Sequence, residues 1–261
     1  MDQLTEHNLK VICIIPAAGK SSRFRSGNKL NAFIEETEDV LSRTIKNIES
    51  IELIEKIFVG LNLKDIQALN NSIQNNSSDK KNAELFFSKV KFYEGGKSRQ
   101  NTVFNGLNQI RGQKIDDIEN VWVIIHDAAR PVILPNDILD FINSAIKINK
   151  SSIMAVPISD TIKKVDKENN IIRTISRNEM WLAQTPQIFR FGILFESLKY
   201  CIENSIEITD ESQALEIHNH EYTIIKGKPY NIKITEDIDL IHARCLANIN
   251  DILLENEECD D

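Results

Sequence analysis

Val11-Ile12-Cys13-Ile14-Ile15 is an unbroken apolar run, followed at once by Pro16-Ala17-Ala18-Gly19. A strand that is apolar at every position has no face to give to water. It must therefore lie in a sheet covered on both sides. Ile57-Phe58-Val59, Val90–Tyr93, Val121–Ile125 and Ile153–Val156 repeat the signal. The segments 40–50, 64–74, 99–111 and 136–148 between them carry helix-period apolar residues. In the last of these Asn136 is the expected N-cap after Pro135, with Ile138, Phe141, Ile142 and Ala145 on one face. A βαβα succession of this kind predicts an α/β fold: a three-layer, doubly wound, mostly parallel sheet with ligands at the carboxyl ends of its strands.

Two stretches break the rhythm. Residues 70–82 (NNSIQNNSSDKKN) are polar and read as a surface loop. Within 158–184, Thr161–Val165 and Ile171–Ile175 flank the turn-like Asp166-Lys167-Glu168-Asn169-Asn170, a β-hairpin signature. A hairpin with so little apolar mass has no core of its own, and a partner subunit is the surface expected to receive it. The rest reads as a single domain over 1–261.

At 261 residues, with 41% hydrophobic and 27% charged residues, the chain is long enough for one α/β domain and too apolar for wholesale disorder. No apolar run approaches the ~20 residues of a membrane span, and the polar start lacks a secretion signal. Cys13, Cys201, Cys245 and Cys259 form no CxxC pair, which argues against a zinc site or disulfide framework and fits a reducing cytosol. A cytoplasmic protein is expected.

The net charge of −8 is the wrong sign for binding nucleic acid or an anionic membrane surface. Residues 20–29 nevertheless carry Lys20, Arg23, Arg25 and Lys29 with no acid, leaving −12 on the other 251 residues. A short cationic loop on an acidic body suits a small polyanion. Six acids and no base over 251–261 read as a frayed helix end or a solubilising tail.

The cationic loop directly follows the first strand, where backbone N–H groups can bind phosphate oxygens. It is not a P-loop: Ile14 stands where GxxxxGK[ST] needs glycine, as Lys91 does for the second Gly-Lys-Ser triplet at 96–98. No second glycine follows Gly19 at GxGxxG spacing either. His126-Asp127-Ala128-Ala129-Arg130-Pro131 closes the strand ending at Ile125, so Asp127 is displayed where an α/β sheet presents its functional groups. His126 reads as a packed, hydrogen-bonded residue, and His218 and His220, two apart at a helix end, do not share a metal-binding face.

PAAGKSSRF, GGKSRQNTVFNGL (95–107), HDAARP (126–131), SDTIKK (159–164), QTPQ (184–187), TDESQALE (209–216) and NIKIT (231–235) follow one another in this order. Together they resemble the 2-C-methyl-D-erythritol 4-phosphate cytidylyltransferase family, over about residues 11–250. The resemblance implies a Rossmann-like nucleotidyltransferase that moves CMP from CTP to methylerythritol phosphate and releases pyrophosphate. Ribitol-5-phosphate cytidylyltransferases share several of the motifs, so another polyol phosphate is the alternative acceptor. A non-catalytic nucleotide sensor is the alternative of a different class.

By the same resemblance, Pro16, Ala17, Ala18 and Gly19 wrap the triphosphate, while Arg23 and Lys29 stabilise its charge, with Arg25 as the substitute for Lys29. Gly95, Gly96 and Thr102 meet the cytosine, and Ala128 lies near the ribose. Asp127 holds Mg²⁺, and Arg177 and Lys233 align the acceptor. Arg130, Thr161, Arg177, Thr185 and Thr209 bind it, some from a neighbouring subunit, since the arm at about 158–184 makes the homodimer. Two local readings accompany these: Lys233 on an alternating strand, and Thr209 as the N-cap of the helix after it. Tyr230 stands where a family member has an acid before the asparagine.

Overall fold

The apolar run at Val11 becomes β1 (Val11–Pro16), and its neighbours on both sides are parallel to it: β2 (Ile54–Leu61) and β4 (Trp122–Ile125). The computed structural model describes residues 10–19, 24, 27–67 and 88–257. Among these, the main sheet has seven strands in the order β3-β2-β1-β4-β8-β5-β9, completed by β3 (Val90–Glu94), β5 (Ser152–Pro157), β8 (Trp181–Arg190) and β9 (Thr223–Lys226). Only β8 runs against the others, antiparallel to both β4 and β5. The expected mostly parallel, doubly wound sheet is what forms.

Alternate residues of one strand enter different cores. Val11, Cys13 and Ile15 pack with α1 (Val40–Glu49), α3 (Pro135–Ile148) and α6 (Asp237–Glu257). Ile12 and Ile14 pack on the other face with α2 (Arg99–Arg111), α4 (Phe191–Glu203) and α5 (Glu211–Ile217). With a fully buried isoleucine contributing about 1.5–3 kcal/mol, a strand serving both layers is what ties them together.

The order β3-β2-β1-β4 contains a reversal. The chain moves outward from β1 to β3, then crosses back to lay β4 on β1's free side. Loops leaving the carboxyl ends of β1 and β4 therefore diverge and leave a crevice between them.

The sequence placed the helices at 99–111 and 136–148 well, but not every cap. Pro135 is the first residue of α3, so Leu134 holds the N-cap position with no side-chain bond and Asn136 lies one residue inside, exposed. Proline's fixed φ suits that first position, and its missing N–H costs nothing there. The N-cap of α5 is Asp210, which accepts from Gln213 N, not Thr209, whose hydroxyl donates to Gln213 Oε1 at 3.1 Å. Residues 231–235 form no strand; Lys233 lies on an irregular segment returning from β9. The helix expected at 64–74 is present over 63–67, and the rest of it, like all of the 70–82 loop, lies outside the described residues. Of the acidic tail, 251–257 extends α6.

The excursion is a separate two-stranded sheet of β6 (Ile162–Val165) and β7 (Ile171–Ile175), pairing Ile162 with Ile175 and Val165 with Ile171. It ends earlier than expected, because Trp181 already pairs with Pro157 at the start of β8. Ile171 and Leu182 remain 66% and 55% exposed. No helix of the described residues is long and apolar enough to cross a membrane.

Asp210→Ala should lower the unfolding free energy by about 1–2 kcal/mol in urea melts, through loss of the α5 cap. Asn136→Ala should leave it within about 0.5 kcal/mol.

Candidate active site

The crevice is a cleft of about 790 Å³, lined by Pro16–Gly19, Lys29, Asn62, Leu63, Glu94–Arg99, Thr102, Asp127–Ala129, Lys233 and Thr235. A nucleotide fits a hollow of this size. Each segment comes from the carboxyl end of a parallel strand or from the loop after β9.

At one end, β3 runs into Gly95-Gly96 and the start of α2. Gly95 N donates to Leu61 O at 2.8 Å, and a Cβ on Gly95 would sit 2.5 Å from the Ala18 Cβ. Only glycine lets the two loops meet. Thr102 is buried, accepts from Gly96 N at 2.9 Å and donates to Ser98 O at 2.9 Å, so its hydroxyl fixes the loop. Glutamate and asparagine side chains reach the same end through Glu94 and Asn62.

The floor is charged. Asp127 is buried at the end of β4, with Arg99 Nη2 2.9 Å from Oδ1, Lys233 Nζ 2.7 Å from Oδ2 and Arg130 Nε 3.8 Å from Oδ2. Burial alone would raise its pKa, but Arg99, then Lys233 and Arg130, outweigh that and hold the carboxyl well below the usual range. Behind it, Glu211 is fully buried against Arg99 Nη1 at 2.6 Å, and burial pushes its pKa up despite that partner.

A hydrogen-bonded chain shapes the turn carrying Asp127. Asp127 N donates to Thr185 Oγ1 at 2.9 Å, Thr185 Oγ1 lies 3.3 Å from His126 Nδ1, and His126 Nε2 lies 3.1 Å from Arg130 O. The pattern assigns a neutral imidazole that accepts at Nδ1 and donates at Nε2. Burial lowers the His126 pKa to about 4, with the Arg130 carbonyl opposing. His126 is thus the packed residue the sequence predicts.

The segment after β9 is sewn across the opening. Ile234 N donates to Ala129 O at 2.8 Å, Arg130 Nη1 to Asn231 O at 2.6 Å, and Lys29 Nζ to Ile234 O at 2.8 Å. Tyr230 OH and Lys228 Nζ both bind Asp137 of α3, the latter at 2.7 Å. The Tyr230 phenol thus helps anchor this loop to α3.

Of the residues expected from the sequence, Pro16, Ala17, Ala18, Gly19, Lys29, Gly95, Gly96, Thr102, Asp127, Ala128 and Lys233 all line the one cleft. Arg23, with Lys20 and Arg25, lies outside the described residues. Arg130 and Thr185 do not line the cleft; both are buried just beneath it, Thr185 engaged with His126 and Asp127. Arg130 Nε makes no hydrogen bond there. Thr161 and Arg177 sit exposed on the hairpin excursion, Arg177 Nη1 donating to Ser159 O, and neither lines this chain's cleft. Thr209 is exposed and also outside it. His218 and His220 do approach, with ring centroids 5.2 Å apart, but no group of three or more His, Cys, Asp or Glu residues placed to hold a metal occurs among the described residues.

Arg99 and Glu211 escaped the sequence reading. Both stood within quoted motifs, in GGKSRQNT and TDESQALE, but 112 positions separate them and nothing local tells a cation–carboxylate pair from two solvated charges.

The family model for IspD, 2-C-methyl-D-erythritol 4-phosphate cytidylyltransferase, matches residues 11–248. The chain is 35% identical over 238 residues to the enzyme of that name from Acinetobacter baumannii strain AYE, covering 91% of this chain and 93% of that protein. It is 32% identical over 234 residues to the one from Aliivibrio fischeri strain ES114, covering 89% and 92%. The crystal structure of the Francisella tularensis enzyme superposes with a TM-score of 0.71 at 31% identity, over 92% of this chain and all of that one.

The buried neutral His126 predicts a pH dependence. Between about pH 6.5 and 4 the unfolded chain binds a proton that the folded chain refuses, so stability falls with falling pH by up to about 3 kcal/mol. In urea melts without nucleotide or metal, His126→Gln should show a shallower loss across that window than the unsubstituted protein.

Proposed function

The chain belongs to the IspD family of 2-C-methyl-D-erythritol 4-phosphate cytidylyltransferases, and from that premise we propose how its cleft carries the transfer of CMP from CTP to methylerythritol phosphate. The observation that carries the reading is the convergence of a glycine-lined pocket end, a small-residue loop and the Asp127–Lys233 pair in one cleft.

Cytosine occupies the end formed by Gly95, Gly96 and Thr102, where backbone groups meet the base edge and no side chain blocks the ring. The triphosphate lies along Pro16–Gly19, with Arg23 and Lys29 opposing its charge and Ala128 beside the ribose. Both reactants are anions, so their approach depends on fixed positive charge. Lys233, held at Asp127, stands at the junction of the two substrates. The acceptor's phosphate oxygen attacks the α-phosphorus in line and pyrophosphate leaves. The nucleophile is already ionised, so no general base is required.

Asp127 is the residue that would hold Mg²⁺. A single carboxylate beside a nucleotide-sized hollow would suit an ion that arrives on a triphosphate. When bound, the ion neutralises phosphate charge. Asp127 can serve only if Lys233 yields Oδ2, and the phosphates offer that ammonium an alternative partner.

Arg130 and Thr185 support the acceptor side from beneath, Arg130 Nε making no hydrogen bond but lying 3.8 Å from Asp127 Oδ2. Thr161, Arg177 and Thr209 would reach acceptor only at a neighbouring cleft or after adjustment. The excursion from 158, with its exposed Ile171 and Ile172, serves as the arm of a homodimer and delivers Arg177 to the partner's site.

The decisive assay is pyrophosphate release from CTP and Mg²⁺ with methylerythritol phosphate. Turnover is expected there and not with ribitol 5-phosphate; the opposite preference would reverse the acceptor assignment. Lys233→Ala should reduce kcat by about 10²–10³-fold with a much smaller change in CTP affinity. If Arg177 acts across the dimer, mixing Arg177→Ala with Lys233→Ala protein should restore about a quarter of the normal sites, since half the dimers then carry one intact set.

A further inference from the structure

Two helices begin behind the cleft, each with a charged first residue: Arg99 on α2 and Glu211 on α5. Glu211 is fully buried and places both oxygens on Arg99 Nη1, at 2.6 and 2.8 Å. Arg99 turns its other edge to Asp127, with Nε 3.0 Å and Nη2 2.9 Å from the same oxygen, Oδ1. The guanidinium therefore bridges a carboxylate inside the protein and one at the cleft floor. Although Arg99 lines the cleft, its fork faces inward and is committed to these acids.

The division of oxygens on Asp127 follows from this clamp. Arg99 engages Oδ1 alone, and Oδ2 is left to Lys233 at 2.7 Å. An arginine free of Glu211 would close on both Asp127 oxygens, the bidentate geometry guanidinium groups favour, and would compete with Lys233. Starting α5 does not account for Glu211, since Asp210 already caps that helix. Burying a carboxylate costs folding free energy, and an apolar replacement of such a pair is often no less stable.

The geometry points to Glu211 as a positioning residue for the transfer: by holding Arg99 it confines that arginine to Asp127 Oδ1 and keeps Oδ2 open toward Lys233 and the ligands. Glu211 touches no substrate. The inference rests on the transferase reading and on Asp127 and Lys233 acting in it.

The test compares Glu211→Gln, Arg99→Lys and the double variant with the unsubstituted protein, by pyrophosphate release and thermal melting. Glu211→Gln should lower kcat about 10–100-fold, the range seen when a supporting shell is removed. KM for CTP should stay within about threefold, because the base-binding end is untouched. The double variant should be no slower than Arg99→Lys alone, since Glu211 works only through that arginine. Near-normal kcat in Glu211→Gln, with or without a lower melting temperature, overturns the inference, as do losses that multiply in the double variant. If Glu211→Gln does not fold, Glu211→Asp keeps the buried charge but draws it back from Arg99. It should lose kcat with CTP KM held, and kcat equal to that of the unsubstituted protein overturns the inference. An unsubstituted protein that releases no pyrophosphate defeats the transferase reading itself and this inference with it.

Discussion

Asp127 is a carboxylate removed from water at the end of a buried strand, and that placement is tolerable only because three cations from three other positions in the chain meet it. Arg99 comes from the first turn of α2, Arg130 from the turn that Asp127 opens, and Lys233 from the loop after β9. Uncompensated, such a charge would cost several kcal/mol or give up its ionisation. Compensated, it draws distant segments to one point. The same cluster sets the local electrostatics: an acidic chain concentrates positive groups where anionic substrates must meet.

The sheet makes this assembly possible. β1 and β4 are buried on both faces, so their carboxyl ends are rigid mounts, and the strand-order reversal between them opens the cleft. β8 adds what a purely parallel sheet lacks. Running antiparallel beside β4, it sets Thr185 under Asp127 N and His126, and Gln184 near the 228–231 backbone. Ligand-binding loops then sit on a hydrogen-bonded floor instead of on packing alone.

Much of the site was legible because its residues lie in contiguous motifs at strand ends. Pro16–Gly19 and Asp127 are positions where period and turn chemistry already say a strand stops and a loop begins, whereas Gly95, Gly96 and Thr102, the last inside α2, enter only through the resemblance. Lys233 stands out only through resemblance, and Ile232 and Ile234 flank it in the pattern of an alternating strand that does not form. Ile234 is fully buried and Ile232 partly buried against the core of β1, α1 and α3, but from an irregular segment and not from a strand. Arg99 and Glu211 were missed because pairing across 112 residues leaves no local mark. Thr209 and Asp210 are both good capping residues by type, and the backbone at 210 decides for Asp210.

What the sequence determined by itself is the layering and the edge at which function sits. A strand apolar at every position must be covered twice, and helix-period segments between such strands must do the covering, so strand ends and loops are fixed by local chemistry. What only the tertiary structure decided is which charges meet. Coulomb partners are chosen by distance in space, and the chain's path from β1 to β9 alone brings Arg99, Asp127, Glu211 and Lys233 within hydrogen-bonding reach of one another, each to its neighbour, where burial makes the pairing matter.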